Sequence, residues 1–221
     1  MTASTPTARR GRPPQTAKQA DQVRARIILA TADVFAEHGS RGLSVARIIE
    51  TAGLARPTFY RYFANAIEPL HAVLTVSNDD LVGGIRSALE RTEEPVQLGI
   101  NMIEAYLYWA SGHGPMLSPL FAELHDPGSP VSPYRERAMD DIRELIRAKF
   151  VKLGRAVPAD LDLDTCLQTC EFVVYRISAG GEPSPETIAA ARLTMIRSCL
   201  VTLGSREDVE YALTIPGLFP G

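Results

Sequence analysis

Apolar residues recur at helical spacing along almost the whole chain from Thr16 onward, and no stretch sustains the apolar–polar alternation of a half-buried strand. That pattern restricts the chain to an all-α fold. Thr16 and Gln19 are spaced as a capping box for a first helix, whose stripe Ile28, Ala32 and Phe35 runs until Gly39 ends it. Ser44 caps a short second helix over about 45–51, Gly53 supplies a turn, and a third helix follows over roughly 57–63. A long fourth helix runs to about Glu90; with Asn65 as its cap, Pro69 could not donate an intrahelical bond, so the helix is expected to start nearer Glu68. Pro95 fits the first turn of a fifth helix ending near Gly112. Loops rich in proline and glycine, 112–115 and 127–133, bracket a short helix over about 116–124. Ser132-Pro133 opens a helix with Ala138, Ile142, Leu145, Ile146, Lys149 and Phe150 on one face, stopped by Gly154. Two more helices, over about 159–179 and 185–203, are separated by Gly180-Gly181, which brings the expectation to about nine; the tail 205–221, with Pro216, Gly217, Pro220 and Gly221, reads as irregular.

At 221 residues, with 45% hydrophobic and 22% charged residues, the chain can bury a core and is not a disordered polymer. No run of about 18 apolar residues could span a bilayer, and residues 1–14 are polar and basic with no apolar stretch behind them, so neither a membrane span nor a secretory signal is expected and a cytoplasmic location is. Cys166, Cys170 and Cys199 are odd in number and form no C-x-x-C pair, which argues against a disulfide framework or zinc ribbon and for buried thiols. The net charge of −3 conceals an asymmetry: residues 1–65 hold ten basic and four acidic groups, +6, whereas the remainder holds 13 and 22, −9. A basic segment on an acidic body suits a module that meets a polyanion.

The segment Ser44 to Phe63, SVARIIETAGLARPTFYRYF, has helix-turn-helix geometry: a short helix, a glycine turn, and a second short helix. Packing accounts for Leu54 and Phe59. It does not account for Arg56, Pro57, Thr58, Tyr60, Arg61 and Tyr62 together, since guanidinium and phenol groups there can reach phosphates and base edges in a major groove about 12 Å wide. These residues, with Ser44, are the candidate DNA contacts.

The pieces IILATADVFAEHG, LSVARIIETAGL and RPTFYRYF within residues 26–63 resemble the TetR (tetracycline-repressor) transcriptional regulators. The resemblance implies an N-terminal three-helix helix-turn-helix DNA-binding domain plus a larger helical ligand-binding and dimerisation domain. It also implies a homodimer on palindromic double-stranded operator DNA, acting as a repressor released by a small-molecule effector. On this scheme 1–19 is a basic, largely disordered arm, 20–66 the DNA-binding domain, 67–204 the effector and dimerisation domain, and 205–221 the tail. Three positions depart from the family pattern. Ala55 stands where serine usually caps the recognition helix, Ile49 where alanine is preferred, and Ala66 where a lysine commonly meets phosphate. In the arm, Arg9-Arg10-Gly11-Arg12-Pro13 resembles an AT-hook core, so Arg10 and Arg12 are candidates for a narrow minor groove.

On the expected fifth helix Gly99, Met102, Tyr106, Trp109 and His113 form a stripe of aromatic bulk, a thioether and polar tips, the composition of a pocket wall. Met116, Phe121, Tyr134, Phe172 and Tyr175 extend the candidate ligand site, and the effector it suits is apolar or aromatic. No G-x-S-x-G, P-loop or H-E-x-x-H motif appears and the four histidines lack ligand spacing, so neither an enzyme nor a resident cofactor or metal is expected. The alternative is a redox- or metal-responsive DNA-binding regulator using Cys166 and Cys170, which lie at i and i+4 on one helical face. Leu161, Leu167, Val174, Ile188, Met195, Cys199 and Leu203 on the last two long helices are available for pairing across a two-fold axis, which reading two half-sites requires.

Deleting residues 1–14 removes three arginines. Operator affinity is expected to fall, and the slope of log K against log salt to become shallower by up to about three per subunit. An unchanged slope in a salt titration would show that the arm touches no phosphate.

Overall fold

The computed structural model describes residues 16–219. Ten α-helices follow one another among these residues: α1 (Ala17–His38), α2 (Val45–Ala52), α3 (Arg56–Phe59), α4 (Ile67–Glu90), α5 (Pro95–His113), α6 (Leu117–Glu123), α7 (Ser132–Lys152), α8 (Asp160–Ser178), α9 (Pro185–Leu203) and α10 (Arg206–Ala212). A single 3-10 turn, Gly114–Met116, leads into α6. The all-α fold expected from the periodicity is what forms, and no described helix is long and apolar enough to cross a membrane. The arm residues Arg10 and Arg12 lie outside the described residues.

Local chemistry sets the boundaries. Thr16 and Gln19 close the capping box of α1, Ser44 accepts the Arg47 N–H at 3.3 Å to start α2, and Glu94 accepts the Val96 and Gln97 N–H groups at 2.9 and 2.6 Å to start α5. Gly53 ends α2 at φ 59°, ψ 44°, the left-handed conformation that glycine adopts without steric cost.

Three expectations need correction. The third helix is regular only over Arg56–Phe59; beyond it the Arg61 and Tyr62 N–H groups bond three residues back, to Thr58 and Phe59, and Phe63 bonds to Phe59. Ala55 offers no capping side chain and threonine, phenylalanine and tyrosine are only moderate helix formers, so the segment tightens instead of continuing as α-helix. The fourth helix starts at Ile67, close to Glu68 as expected: Asn65 Oδ1 accepts both the Ile67 and Glu68 N–H groups, at 2.9 and 3.1 Å, and Pro69 falls in the first turn, where no intrahelical donor is needed. The tail is not irregular throughout: Ser205 and Asp208 form a second capping box and generate α10. The stripe of α1 is wider than expected, with Ile27, Ala30, Thr31, Val34 and Phe35 buried and Ile28 and Ala32 only half-buried.

Two apolar clusters result. The smaller holds Ile27, Ala30 and Val34 of α1 with Ile48, Ala52, Phe59 and Phe63. The larger runs through α4 to α10 and takes in Phe35 of α1. Within the larger body, α4 packs on α5 and α7, and α8 on α9. Polar ties fix these layers: the Trp109 indole N–H donates to the Ser77 carbonyl at 3.0 Å, Asn78 donates to the Tyr134 carbonyl at 2.7 Å, and Arg135 grips Glu171 through Nε at 2.9 Å and Nη2 at 2.7 Å. Val174 and Met195, available in sequence for pairing between subunits, are buried within this body at 1% and 0% exposure and cannot reach a partner.

The guanidinium of Arg155, just beyond α7, clasps Asp208 of α10. Burial works to raise the Asp208 pKa, but the hydrogen bonds from Arg155 and Ser205 outweigh it and hold the carboxyl below its ordinary value. A depressed folded-state pKa stabilises the fold above the unfolded value and loses that contribution as pH falls through the folded one. Asp208→Asn is therefore expected to lower Tm at neutral pH, with the gap from the parent closing as pH falls below about 4. A gap independent of pH in thermal melts would show that the clasp acts through shape alone.

Candidate functional site

Around the helix-turn-helix the buried face is apolar and the opposite face is basic and aromatic. Ile48, Ala52, Phe59 and Phe63 point inward. Arg47, Arg56, Pro57, Tyr60 and Arg61 are exposed, and Ser44, Thr58 and Tyr62 are half-buried. Phe59 holds Tyr60 edge-on, ring centroids 5.6 Å apart, which fixes the tyrosine on the outer side. Arg56 lies over the Tyr60 ring at 5.7 Å with its Nη2 3.4 Å from the phenol oxygen, and Arg61 lies over Tyr62 at 5.9 Å. Stacking on an aromatic face restrains a guanidinium while leaving its donors free to meet a phosphate or a guanine edge. Arg26 of α1 reaches the Gly53 carbonyl at 3.5 Å, and a Cβ on Gly53 would sit 2.8 Å from that guanidinium. The turn is thus tied to α1 where glycine is required for both conformation and space.

Besides Phe35 of α1, which enters the larger cluster, two ties join this unit to the body. Phe63 is followed directly by the Asn65 cap and α4, and Glu68 reaches back to accept the Ala64 N–H at 2.7 Å. The other tie is Glu123 at the end of α6, which accepts the Ser40 N–H at 2.8 Å on one oxygen and the Ser129 hydroxyl at 2.6 Å on the other. Beside it Arg41 pairs with Asp126 at 3.0 Å. Gly39 turns at φ 63° above Glu123, where a Cβ would come within 2.9 Å of the carboxylate. Residue types and spacing gave no signal for Glu123, which acts 83 positions from Ser40.

A cavity of about 130 Å³ opens inside the body between α4, α5, α7, α8 and α9. Its wall is almost entirely aliphatic, with Ile85 and Leu89 of α4, Val96, Gly99, Met102 and Ile103 of α5, Ile142 and Ile146 of α7, and Leu200 and Leu203 of α9. Polar groups are few: the buried Tyr106, the Glu171 carboxylate held by Arg135, Lys149, which donates to the Thr92 carbonyl at 2.8 Å, and the Arg155–Asp208 pair. Burial, followed by the charge of Glu171, raises the Tyr106 phenol well above its ordinary pKa, so it stays a neutral donor.

Of the nine ligand candidates read from sequence, Met102 and Tyr106 line this cavity. Trp109 does not. It stacks on Tyr106 at 5.6 Å, meets His113 at 4.5 Å and spends its N–H on Ser77, so it joins α5 to α4. Met116 and Phe121 are core, Tyr134 lines a separate polar groove beside Asn78 and Asp141, and Phe172 and Tyr175 are 62% and 41% exposed on α8. The aliphatic wall was missed because apolar residues at helical spacing look the same beside a cavity as in solid core.

All three thiols reach the cavity wall, with Cys170 and Cys199 Sγ 3.7 Å apart. Mutual hydrogen bonding, followed by burial, pushes Cys166 and Cys199 well above an ordinary thiol pKa. Neutral thiols are poor nucleophiles, which weighs against the redox alternative.

Residues 27–65 match the family model for bacterial regulatory proteins of the tetR family. The HTH-type transcriptional activator FasR of Mycolicibacterium smegmatis is 31% identical over 86 residues, which is 39% of this chain and 39% of that protein's length. Among solved structures, the fatty acid degradation regulator FadR from Bacillus halodurans is similar with a TM-score of 0.67 at 20% identity, covering 83% of this chain and 96% of that one. FadR from Bacillus subtilis in complex with stearoyl-CoA has a TM-score of 0.66 at 16% identity, covering 82% and 99%. At these identities the structures speak for the fold alone, while residues 27–65 carry the sequence match to bacterial regulatory proteins of the tetR family.

Proposed function

We propose that this protein is a ligand-responsive regulator that binds palindromic operator DNA as a homodimer and leaves it when a long acyl chain occupies the cavity. The aliphatic cavity wall is the observation that carries this reading: ten apolar side chains or glycine contacts from four helices, with Glu171, Lys149 and the Arg155–Asp208 pair already engaged, suit a flexible hydrocarbon better than the aromatic effector a tryptophan wall would have favoured. That one TetR-like structure of the same fold is in complex with stearoyl-CoA supports the choice of ligand class. Residues 20–66 act as the DNA-binding unit, and residues from 67 onward, α10 included, as the effector and dimerisation unit.

Base-edge and phosphate contacts are assigned to Arg56, Thr58, Tyr60, Arg61 and Tyr62, with Ser44 and Pro57 at the ends of the two short helices, and the arm supplies Arg10 and Arg12. Exposed Leu161, Phe172 and Tyr175 on α8 and Val201 on α9 form the apolar surface for pairing two copies. Operator occupancy represses or activates according to where the operator lies relative to the promoter; we assign repression.

Coupling runs through α4, whose 24 residues extend about 36 Å. Ile85 and Leu89 touch the cavity near one end, and the recognition segment is joined to the other. A ligand that displaces those two side chains tilts the helix and changes the separation of the two recognition segments in the dimer. Reciprocity follows: tenfold weaker operator binding with ligand means tenfold weaker ligand binding on operator, about 1.4 kcal/mol of coupling.

Replacing Tyr60 or Arg61 with alanine should cost about 1–3 kcal/mol of operator affinity each without loss of helix content. Parental affinity in both variants at matched salt would remove the recognition segment from the interface. For the cavity, Met102→Trp should leave operator binding intact in the absence of ligand and raise the concentration of stearoyl-CoA needed for release. Release at the parental concentration would place the ligand elsewhere.

A further inference from the structure

Cys166 and Cys170 stand one turn apart on α8, and Cys199 faces them from α9. All three sulfurs lie within 4.8 Å of one another. Thiolate bonds of about 2.3 Å, as sulfur makes to zinc, set sulfurs roughly 3.5–4 Å apart, so a small rotation about each χ1 converges all three on one centre. The sulfurs sit on the cavity wall and can be reached from inside it. We propose that Cys166, Cys170 and Cys199 form a three-sulfur site for a trivalent, thiophilic metalloid, arsenite being the simplest such ligand.

Donor number and charge select this ligand over a divalent metal. Among the described residues no histidine, aspartate or glutamate joins the sulfur group, so a zinc ion would lack the fourth ligand of its tetrahedron. Three thiolates around a divalent ion would also leave a net negative charge on an apolar wall. Glu171 already places a carboxylate there, and its cationic partner, Arg135, is committed to it at 2.7 Å. A trivalent centre bound by three thiolates is neutral and three-coordinate, matching both the number of sulfurs and their surroundings. The exchange balances without redox change: As(OH)3 and three S–H groups give As(S)3 and three waters, each thiol proton leaving with one hydroxide while three As–O bonds are replaced by three As–S bonds. The site ties α8 to α9 from within the wall of the same cavity.

The test uses the full, reduced chain with arsenite as the probe. Native mass spectrometry is expected to show one arsenic gained and three hydrogens lost, and arsenic X-ray absorption to show a shell of three sulfurs without oxygen. Cys166→Ser, Cys170→Ser and Cys199→Ser should each replace one sulfur by oxygen in that shell and weaken arsenite binding; Cys199→Ala repeats the test without a buried hydroxyl. Stearoyl-CoA binding, measured on the same variants, separates failure of this site from failure of the acyl-chain reading. An oxygen retained in the parent's arsenic shell, parental arsenite affinity in any single-cysteine variant, or zinc bound more tightly than arsenite would overturn the proposal.

Discussion

Helix α1 buries two flanks at once, and the relation between the DNA-binding unit and the body depends on it. Ile27, Ala30 and Val34 complete the small cluster under the recognition segment, while Phe35 enters the large core. A rigid rod shared by two cores cannot turn relative to one without disturbing the other, because close-packed interiors deform in discrete steps. The Glu123 clasp on Ser40 and the continuity of Phe63 into α4 place two further fixed points around this rod. The outer face of the helix-turn-helix therefore follows the body instead of swinging on a linker.

The body is less uniformly packed. A wall of aliphatic side chains around open space forgoes contacts that a filled core would make, which costs stability in proportion to the void. Polar ties hold the helices around that space: Arg135 on Glu171 between α7 and α8, Lys149 on the Thr92 carbonyl, and Arg155 on Asp208. A buried ion pair contributes little net stability, but breaking one partner is costly, so such pairs fix geometry more than they strengthen the fold. The outcome is a hydrocarbon-lined interior whose surrounding helices are tied to one another by polar groups.

The legibility of the sequence varied with the range of the interactions involved. Capping signals such as Thr16 with Gln19 and Ser44 before Val45 act over three residues, and the helices they predict are present. The segment RPTFYRYF shows its outward side because Phe59 and Phe63 have an obvious buried role, leaving Tyr60 and Arg61 without one. The stripe from Met102 to His113 misled beyond Tyr106. Its spacing correctly puts Trp109 on the same side of α5, but only the position of α4 decides that the indole meets the Ser77 carbonyl and not a ligand.

The chain by itself determined the all-α class, most helix ends and the basic, aromatic outer face of the helix-turn-helix, since periodicity, caps and local charge act between near neighbours. Tertiary structure alone decided which apolar stripes face open space, that Cys199 joins Cys166 and Cys170 across 29 positions or more, that Ser205 and Asp208 nucleate a tenth helix braced by Arg155, and that Glu123 reaches Ser40. The physical reason is the same in each case. A side chain's local spacing fixes the direction in which it leaves its helix, whereas its partner is fixed by how whole helices pack, and that is a property of the summed contacts of the entire chain.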